Sequence, residues 1–244
     1  MILRMFSFTI KPANPLRFSL QEFRSHLSRN CTEHPRTNSN VPDLSRYPPI
    51  LCGQLKHETR VTGICQGADF LYSLVDGNTE ILDNNNRCHI DTRDAEIRSE
   101  PFGITVEEHE YEFLTPWLAL NQQNEKKFYL LQGKTARDAF MQKLLATQLN
   151  TFAKSLEYSS DNSITCTAHV RFIRERIEQQ TVMIFKGRFR ANLQIPQYLG
   201  IGQSVSRGFG WVREVPADKE TLSENEPGAG LDRAPPGTIP KDLI

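Results

Sequence analysis

Two segments of the chain alternate between apolar and polar residues with the period of a β-strand. Apolar side chains occupy every second position of residues 164–172 and again of residues 185–193. A period of two is typical of strands with one face buried and the other in water. The polar stretch 174–180 lies between the two segments. The pattern therefore predicts an antiparallel hairpin with a charged tip.

Weaker patterns predict the other elements. Alternation through Phe6, Phe8 and Ile10 predicts an opening strand, and the capping box that begins at Ser19 predicts the start of a helix. We interpret residues 49–56 and 60–64 as a strand pair, 67–74 as a short helix and 128–131 as a short strand, whereas 87–97 fit a loop or a strand. The longest helix is predicted from Thr135, and its apolar face comprises Met141, Leu145, Leu149, Phe152 and Leu156.

Strands and helices recur in two similar halves, which predicts an α+β fold with two ferredoxin-like domains side by side. We expect the first domain in residues 1–115 and the second, with a glycine-rich loop near its C-terminal end, in residues 116–213. Residues 214–244 are acidic, rich in Pro and Gly and poor in apolar side chains. Such a composition predicts a disordered or loosely docked tail.

One face of the predicted hairpin is basic. Its basic side chains, called the basic face below, are His169, Arg171, Lys186, Arg188 and Arg190. Neither segment places a carboxylate among them, and like charges on paired strands repel. The face therefore favours an anionic partner, most often nucleic acid, over a merely solvated strand surface.

The glycine-rich loop, residues 198–211, follows the hairpin and holds a second set of candidate ligand-binding residues. They are Gly200, Gly202, Gln203, Ser204, Ser206, Arg207, Gly208 and Gly210. Glycine lets a ligand approach the backbone closely, and successive N–H groups in such a loop can form an anion-binding nest. Taken alone, the loop fits a plain tight turn as well as a phosphate cradle.

Composition narrows the remaining possibilities. The formal net charge is zero, so any attraction for an anion is local to the basic face. The five cysteines are dispersed without C-x-x-C spacing, which favours reduced thiols over disulfides or a zinc site. No signal peptide or membrane-spanning run is apparent, so we expect a cytoplasmic protein. No cluster of carboxylates or histidines has metal-ligand spacing, so we expect neither a metal nor a cofactor.

Five ordered motifs resemble the CRISPR-associated repeat-RNA endoribonucleases, the "Cas six" family of the RAMP superfamily, and within it the b-type subgroup. The glycine-rich loop has the family's form, from Gly200-Ile201-Gly202 to Gly208-Phe209-Gly210. The others are Tyr47-Pro48-Pro49-Ile50, the Gly-Ile-x-x-Gly-Ala segment 63–68, the Y-x-F-L-T-P-W-L-A-L-N segment 111–121 and the Phe-x-Gly-x-Phe-x-x-Asn segment 185–192. The resemblance covers about residues 1–213.

This resemblance implies a metal-independent ribonuclease that cuts precursor CRISPR RNA within each repeat. In the family the ribose 2′-OH attacks the adjacent phosphate, leaving a 2′,3′-cyclic phosphate and a 5′-OH. The b-type enzymes often carry a His-x-His pair before the Tyr-Pro segment, where this chain has His34 followed by Pro35 and Arg36. The implied catalytic candidates are therefore His34, Tyr47 and His26, with acid and base roles left open. Gln203 replaces the family's loop lysine, and Arg207 is expected to take over its phosphate contact.

Two other functions remain open at this point. One is a non-catalytic RNA-binding RAMP subunit of a CRISPR effector complex, and the other is an unrelated α+β RNA-binding protein. The expected partners are precursor and mature repeat RNA, with membership of an effector complex and a monomeric or homodimeric state left open. No membrane partner is expected.

Overall fold

A computed structural model describes residues 1–13, 19–32, 47–55, 58–78, 80–83, 86–177 and 180–216. The segment that contains His34, and the predicted tail from residue 217 onward, lie outside the described residues. In chain order the elements are β1 (Ile2–Pro12), α1 (Leu20–Thr32), β2 (Ile50–Leu55), β3 (Glu58–Ile64), α2 (Gln66–Val75), β4 (Glu80–Asp83), β5 (Asn86–Pro101), β6 (Gly103–Phe113), α3 (Gln122–Leu130), α4 (Lys134–Ser155), β7 (Cys166–Ile177), β8 (Gln180–Gln194) and β9 (Val212–Glu214).

The first unit, β1 to β5 with α1 and α2, is a ferredoxin-like sheet. Its strand order is β2-β3-β1-β5-β4, and the neighbouring strands are antiparallel. Both helices cover one face, where Phe23 and Leu27 of α1 and Leu71 of α2 are buried against Phe6 and Phe8 of β1. The opening strand, the first helix, the 49–64 strand pair and the second helix are confirmed, and residues 87–97 prove to be strand.

The second unit, β6 to β9 with α3 and α4, has the same topology, except that a loop replaces its last helix. Its strand order is β7-β8-β6-β9, the same 2-3-1-4 order as the core of the first unit. The glycine-rich loop, which holds one 3-10 turn at Val205–Arg207, occupies the chain position that α2 has in the first unit. The predicted hairpin is confirmed as β7 and β8. The α+β fold with two ferredoxin-like units is therefore present.

Two details of the sequence interpretation are corrected. The boundary between the units was placed at residue 115, but the preceding strand β6 pairs with β8 and β9, so the first sheet ends at Pro101. Residues 128–131 were predicted as a strand, yet Phe128 lies in α3, whose first turn is capped by the Asn121 side chain accepting from the Asn124 N–H at 2.8 Å. Whether the two units fold as separate domains stays a prediction.

The face of the first sheet that carries no helix packs against the second unit. Leu3 and Met5 of β1 are fully buried in one cluster with Leu199 and Trp211 of the second unit. Nearby, the guanidinium carbon of Arg60 lies 4.6 Å from the ring centroid of Tyr198. The two units therefore share a core. All five cysteines are free, as predicted.

Candidate functional site

The glycine-rich loop is seated on strand β2 of the first unit. A β-carbon on Gly53 would lie 2.9 Å from the Gly208 Cα and 2.9 Å from the Trp211 ring. Gly208 has a φ of +84°, and a β-carbon there would lie 2.5 Å from the Gly53 Cα. Only glycine at both positions permits this backbone contact. The loop is therefore positioned by the other unit and not by its own strands alone.

Most backbone donors of the loop are used within the protein. The N–H groups of Ile201, Gln203, Gly208 and Gly210 donate to backbone carbonyls at 2.9–3.0 Å. Within the described part of the chain, no acceptor is found for four N–H groups of the loop, those of Gly202, Ser204, Val205 and Ser206. Three of them, from Ser204 to Ser206, are successive at the 3-10 turn, beside the exposed Gln203 and Arg207, and are donors that the loop can offer to an anion.

Tyr47 joins the segment before β2 to this loop. Its hydroxyl donates to the Gly200 carbonyl at 3.0 Å and accepts from the Gly200 N–H at 2.7 Å. Burial raises the pKa of Tyr47 well above its ordinary value, and the hydrogen bond with Gly200 offsets this only in part. Its ring lies 5.1 Å from that of Phe152. These contacts stabilise the position of the loop, and a catalytic role for Tyr47 stays a prediction.

Helix α1 presents Arg24 to the loop, a contact that the sequence interpretation missed. The Arg24 Nη1 donates to the Ser206 Oγ at 2.7 Å, although the two residues are 182 positions apart. His26 lies about 200° further around the helix axis, because successive residues rotate by about 100°. Its Nε2 is 3.1 Å from the Asn30 Nδ2, and among the described contacts none joins His26 to the loop. The residue that α1 brings to the loop is an arginine.

The basic face is present on the outer side of the β7–β8 hairpin. Lys186, Arg188 and Arg190 alternate with the buried Phe185 and Phe189. In register, Arg171 is opposite Lys186 and His169 is opposite Arg188. The five basic side chains thus share one surface.

Strand β6 places a carboxylate, Glu110, beside the basic face, which the sequence of the hairpin alone could not show. The Glu110 carboxylate lies 3.0 Å from Arg190 Nη2 and 3.5 Å from Arg188 Nη1. The Arg190 guanidinium, with help from Arg188, holds the pKa of Glu110 below its ordinary value. The expectation of an uncompensated face was wrong for these two arginines. Among the described residues, Arg171 and Lys186 have no carboxylate partner.

A short chain of contacts connects the basic face with the glycine-rich loop. Phe185, the neighbour of Lys186, exchanges two backbone hydrogen bonds with Trp117 at 2.8 and 2.9 Å. A β-carbon on Gly202 would lie 2.6 Å from the Trp117 Nε1, so the loop packs directly on this indole. Buried contacts through Phe185 and Trp117 therefore join the hairpin to the loop.

Neither a metal site nor a membrane-spanning helix is found in the described ranges. Within them, no group of three or more His, Cys, Asp or Glu side chains is arranged to hold a metal ion. No helix in the same ranges is long and apolar enough to cross a membrane.

Known proteins share both the fold and the second unit. A family model, Cas6b C-terminal domain, matches residues 103–215, which span the second unit from its first strand to its last. A crystal structure of Cas6b is 25% identical with a TM-score of 0.63, over 88% of this chain and 100% of that one. A crystal structure of the CRISPR RNA processing endoribonuclease Cas6b is 24% identical with a TM-score of 0.67 over the same shares. An uncharacterized protein of Methanocaldococcus jannaschii is 30% identical over 123 residues, which are 50% of this chain and 82% of that protein.

Two ferredoxin-like units joined through a shared core, with a glycine-rich loop in place of the last helix, define a protein with the Cas6 fold. Within that class the chain belongs to the Cas6b family.

Proposed function

We propose that this protein is an endoribonuclease that cleaves precursor CRISPR RNA within its repeats to give mature guide RNAs. The main support for the proposal is the contact between the glycine-rich loop of the Cas6b-type second unit and the first unit. There the loop turn at Ser206 meets Arg24 of α1, and Gly200 meets Tyr47. The segment that holds His34 runs in the sequence between α1 and Tyr47, so both of its flanks lie at elements that contact the loop.

The RNA backbone is proposed to follow the basic face toward the loop. Arg171 and Lys186 offer cations without a carboxylate partner in the described structure, and Arg188 and Arg190 follow beside them. At the loop, Arg24 and the N–H groups of Val205 and Ser206 supply donors for a phosphate. Because neutralising phosphates releases counterions, this binding depends steeply on salt.

The proposed chemistry needs no metal. A base removes the proton of the ribose 2′-OH, the 2′-oxygen attacks the adjacent phosphorus, and the bond from phosphorus to the 5′-oxygen breaks. An acid then gives a proton to that oxygen, so the products are a 2′,3′-cyclic phosphate and a 5′-OH. Histidine suits either proton transfer near neutral pH. We assign one of them to His34, with His26 or Tyr47 as the open second candidates, and charge stabilisation on the phosphorane to Arg24.

Cleavage of the host's repeat RNA in EDTA tests this function directly. Cutting at one position per repeat, with a 2′,3′-cyclic phosphate end identified by mass spectrometry, is the expected result. A substrate with a single 2′-deoxyribose at that position should bind and stay intact, because it lacks the attacking oxygen. Tight binding without cleavage would instead favour a non-catalytic RNA-binding RAMP subunit. Cleavage of the 2′-deoxy substrate would exclude the cyclic-phosphate route.

The His34→Ala variant tests the residue assignment. Its single-turnover rate should fall by roughly 10²–10⁴-fold, the usual effect of losing a positioned acid or base, while RNA affinity stays close to wild type. His89→Ala, on an exposed position of β5, is the matched control and should cleave normally. A wild-type rate in His34→Ala together with a loss in His26→Ala would move the role to α1.

A further inference from the structure

A cavity on the second unit, at the β7 edge of the hairpin, is not used by the proposed mechanism. It measures about 360 Å³ and opens between α3, the start of α4 and the hairpin. Its lining includes the aromatic side chains of Phe128, Phe172 and Phe185, the basic residues Lys134, Arg137 and Arg171, and one carboxylate, Asp138, so the basic side chains outnumber the acidic one. Ligand pockets usually measure about 300–1,000 Å³. The cavity is therefore large enough for one small organic group.

Phe172 is a partly exposed aromatic side chain that packs on buried aromatic rings. It stands on β7, the edge strand of its sheet, and is 42% exposed. Its centroid lies 5.5 Å from that of Phe128, which in turn lies 5.8 Å from that of Phe185. Phe128 and Phe185 are buried, so they hold the outer ring in position. An immobilised, partly exposed ring is a platform for stacking.

Arg137 supplies a planar cation beside this ring. Its guanidinium carbon lies 5.4 Å from the Phe128 centroid and 5.9 Å from the Phe172 centroid. Its Nε donates to the Leu131 carbonyl at 3.2 Å, which fixes the side chain. Among the described residues, neither Arg137 nor Lys134 has a carboxylate within ion-pair distance. Their charge is left for a ligand from outside.

We propose that this cavity binds one unstacked nucleotide of the RNA, with its base against Phe172 and Arg137 and its phosphate near Lys134. A nucleotide matches both properties of the cavity, because every base has a π-face and every linkage has a negative charge. The cavity also borders the strand that carries Arg171, so an RNA strand that crosses the β7 edge reaches both surfaces. The inference rests on the proposed function in that the ligand is the RNA bound there.

Equilibrium binding of a repeat RNA with 2′-O-methyl riboses throughout tests the pocket without cleavage. Phe172→Ala should weaken binding about 5- to 100-fold, from the usual size of a base–aromatic stacking contact. Phe172→Leu, which keeps the apolar packing, should show a similar loss and checks against misfolding. Tyr72→Ala removes an equally exposed ring from α2 and should change the affinity by less than about twofold. Wild-type affinity in Phe172→Ala and Phe172→Leu would overturn the proposal.

An abasic scan of the same RNA identifies the nucleotide. One abasic position should weaken binding to the wild-type protein as much as Phe172→Ala does, and should cost nothing further in the variant. If every abasic position costs the same in both proteins, the base does not occupy this pocket. A change in the sedimentation of the free Phe172→Ala protein with unchanged RNA affinity would assign the cavity to a second copy of the chain and overturn the proposal. Failure of wild-type cleavage with these binding results intact would contradict only the enzymatic function.

Discussion

The Tyr47 hydroxyl exchanges two hydrogen bonds with the backbone of Gly200. Tyr47→Phe leaves a buried N–H without its acceptor, so the free energy of unfolding should fall by about 1–3 kcal/mol in a denaturant titration. Tyr129→Phe removes an exposed hydroxyl that accepts from Arg174, and should change stability by less than about 0.5 kcal/mol. If Tyr47→Phe keeps full stability but loses cleavage about 100-fold, Tyr47 acts in the chemistry as an acid or base instead.

The sequence identified candidate residues by their type and position, but it could not show which residues far along the chain contact them. The Tyr-Pro motif singled out Tyr47 as a catalytic candidate, but its contact with Gly200, 153 positions away, was not predicted. Nothing in the helical pattern of α1 distinguished Arg24, whose partner is 182 positions away. Glu110 was missed for the same reason, since its arginine partners lie on another strand, 78 and 80 positions along the chain. Contacts of this kind depend on how the sheets assemble, and local periodicity does not record that.

At the scale of elements, periodicity predicted most of the strands and helices and failed for residues 128–131. The hairpin and α4 are present where alternation and helical spacing predicted them. Residues 128–131 were too short to separate a strand from a helix, and the Asn121 cap decides for helix. Strand β6 alternates in its second half, with Tyr111 and Phe113 buried and Glu112 between them less so. That alternation was a usable signal for the first strand of the second sheet.

Three glycine variants separate the two effects expected at the contact between β2 and the glycine-rich loop, namely steric overlap and backbone strain. Gly53→Ala adds only a close contact, which should cost about 1–3 kcal/mol of unfolding free energy. Gly77→Ala, at a φ of +76° with nothing within 4 Å, adds only backbone strain of about 1–2 kcal/mol. Gly208→Ala adds both the contact and the strain, so it should be the least stable of the three.

RNA binding separates the same three variants. Gly53→Ala and Gly208→Ala should weaken it because the loop is displaced from β2, whereas Gly77→Ala should leave it unchanged. Denaturant titration and equilibrium binding on one set of proteins give both readings. Wild-type stability and binding in Gly53→Ala would show that the loop does not depend on this contact.

At the scale of the whole molecule, the formal net charge is zero, so the protein as a whole does not attract anions. Any attraction for an anion therefore depends on which basic side chains lack a nearby carboxylate. The basic face holds its charge on a sheet whose next strand, β6, carries Glu110 against two of the five basic residues. Such pairing reduces the repulsion between like charges on adjacent strands. If RNA follows this face as proposed, the same carboxylate competes with its phosphates for Arg188 and Arg190. The surface would then balance the stability of the free protein against its affinity for RNA.

Opposite changes in this surface should have opposite effects on RNA binding. The triple variant Lys186→Ala, Arg188→Ala, Arg190→Ala should bind many RNA sequences more weakly, with a salt slope shallower by about 2, or about 0.7 for each phosphate that the protein no longer neutralises. Glu110→Gln should bind more tightly by a factor of about 1.4 to 5, the usual effect of one exposed ion pair, because Arg188 and Arg190 are released for phosphate. Glu107→Gln makes the same change in net charge at an exposed position of β6 and is the control. Unchanged affinity in the triple variant would remove the basic face from the RNA path.

The pH dependence of the Glu110→Gln effect follows from the lowered pKa of Glu110. The Arg190 guanidinium holds that pKa below its ordinary value, so the carboxylate stays charged and paired at neutral and mildly acidic pH. A depressed pKa means that the ion pair is present above the ordinary carboxyl pKa and is lost as the pH falls through the lowered one. The advantage of Glu110→Gln over wild type should therefore be constant near neutrality and shrink only in that acidic range. Binding titrations from neutral to acidic pH check this, and an advantage that persists after Glu110 is protonated would contradict competition between Glu110 and the phosphates.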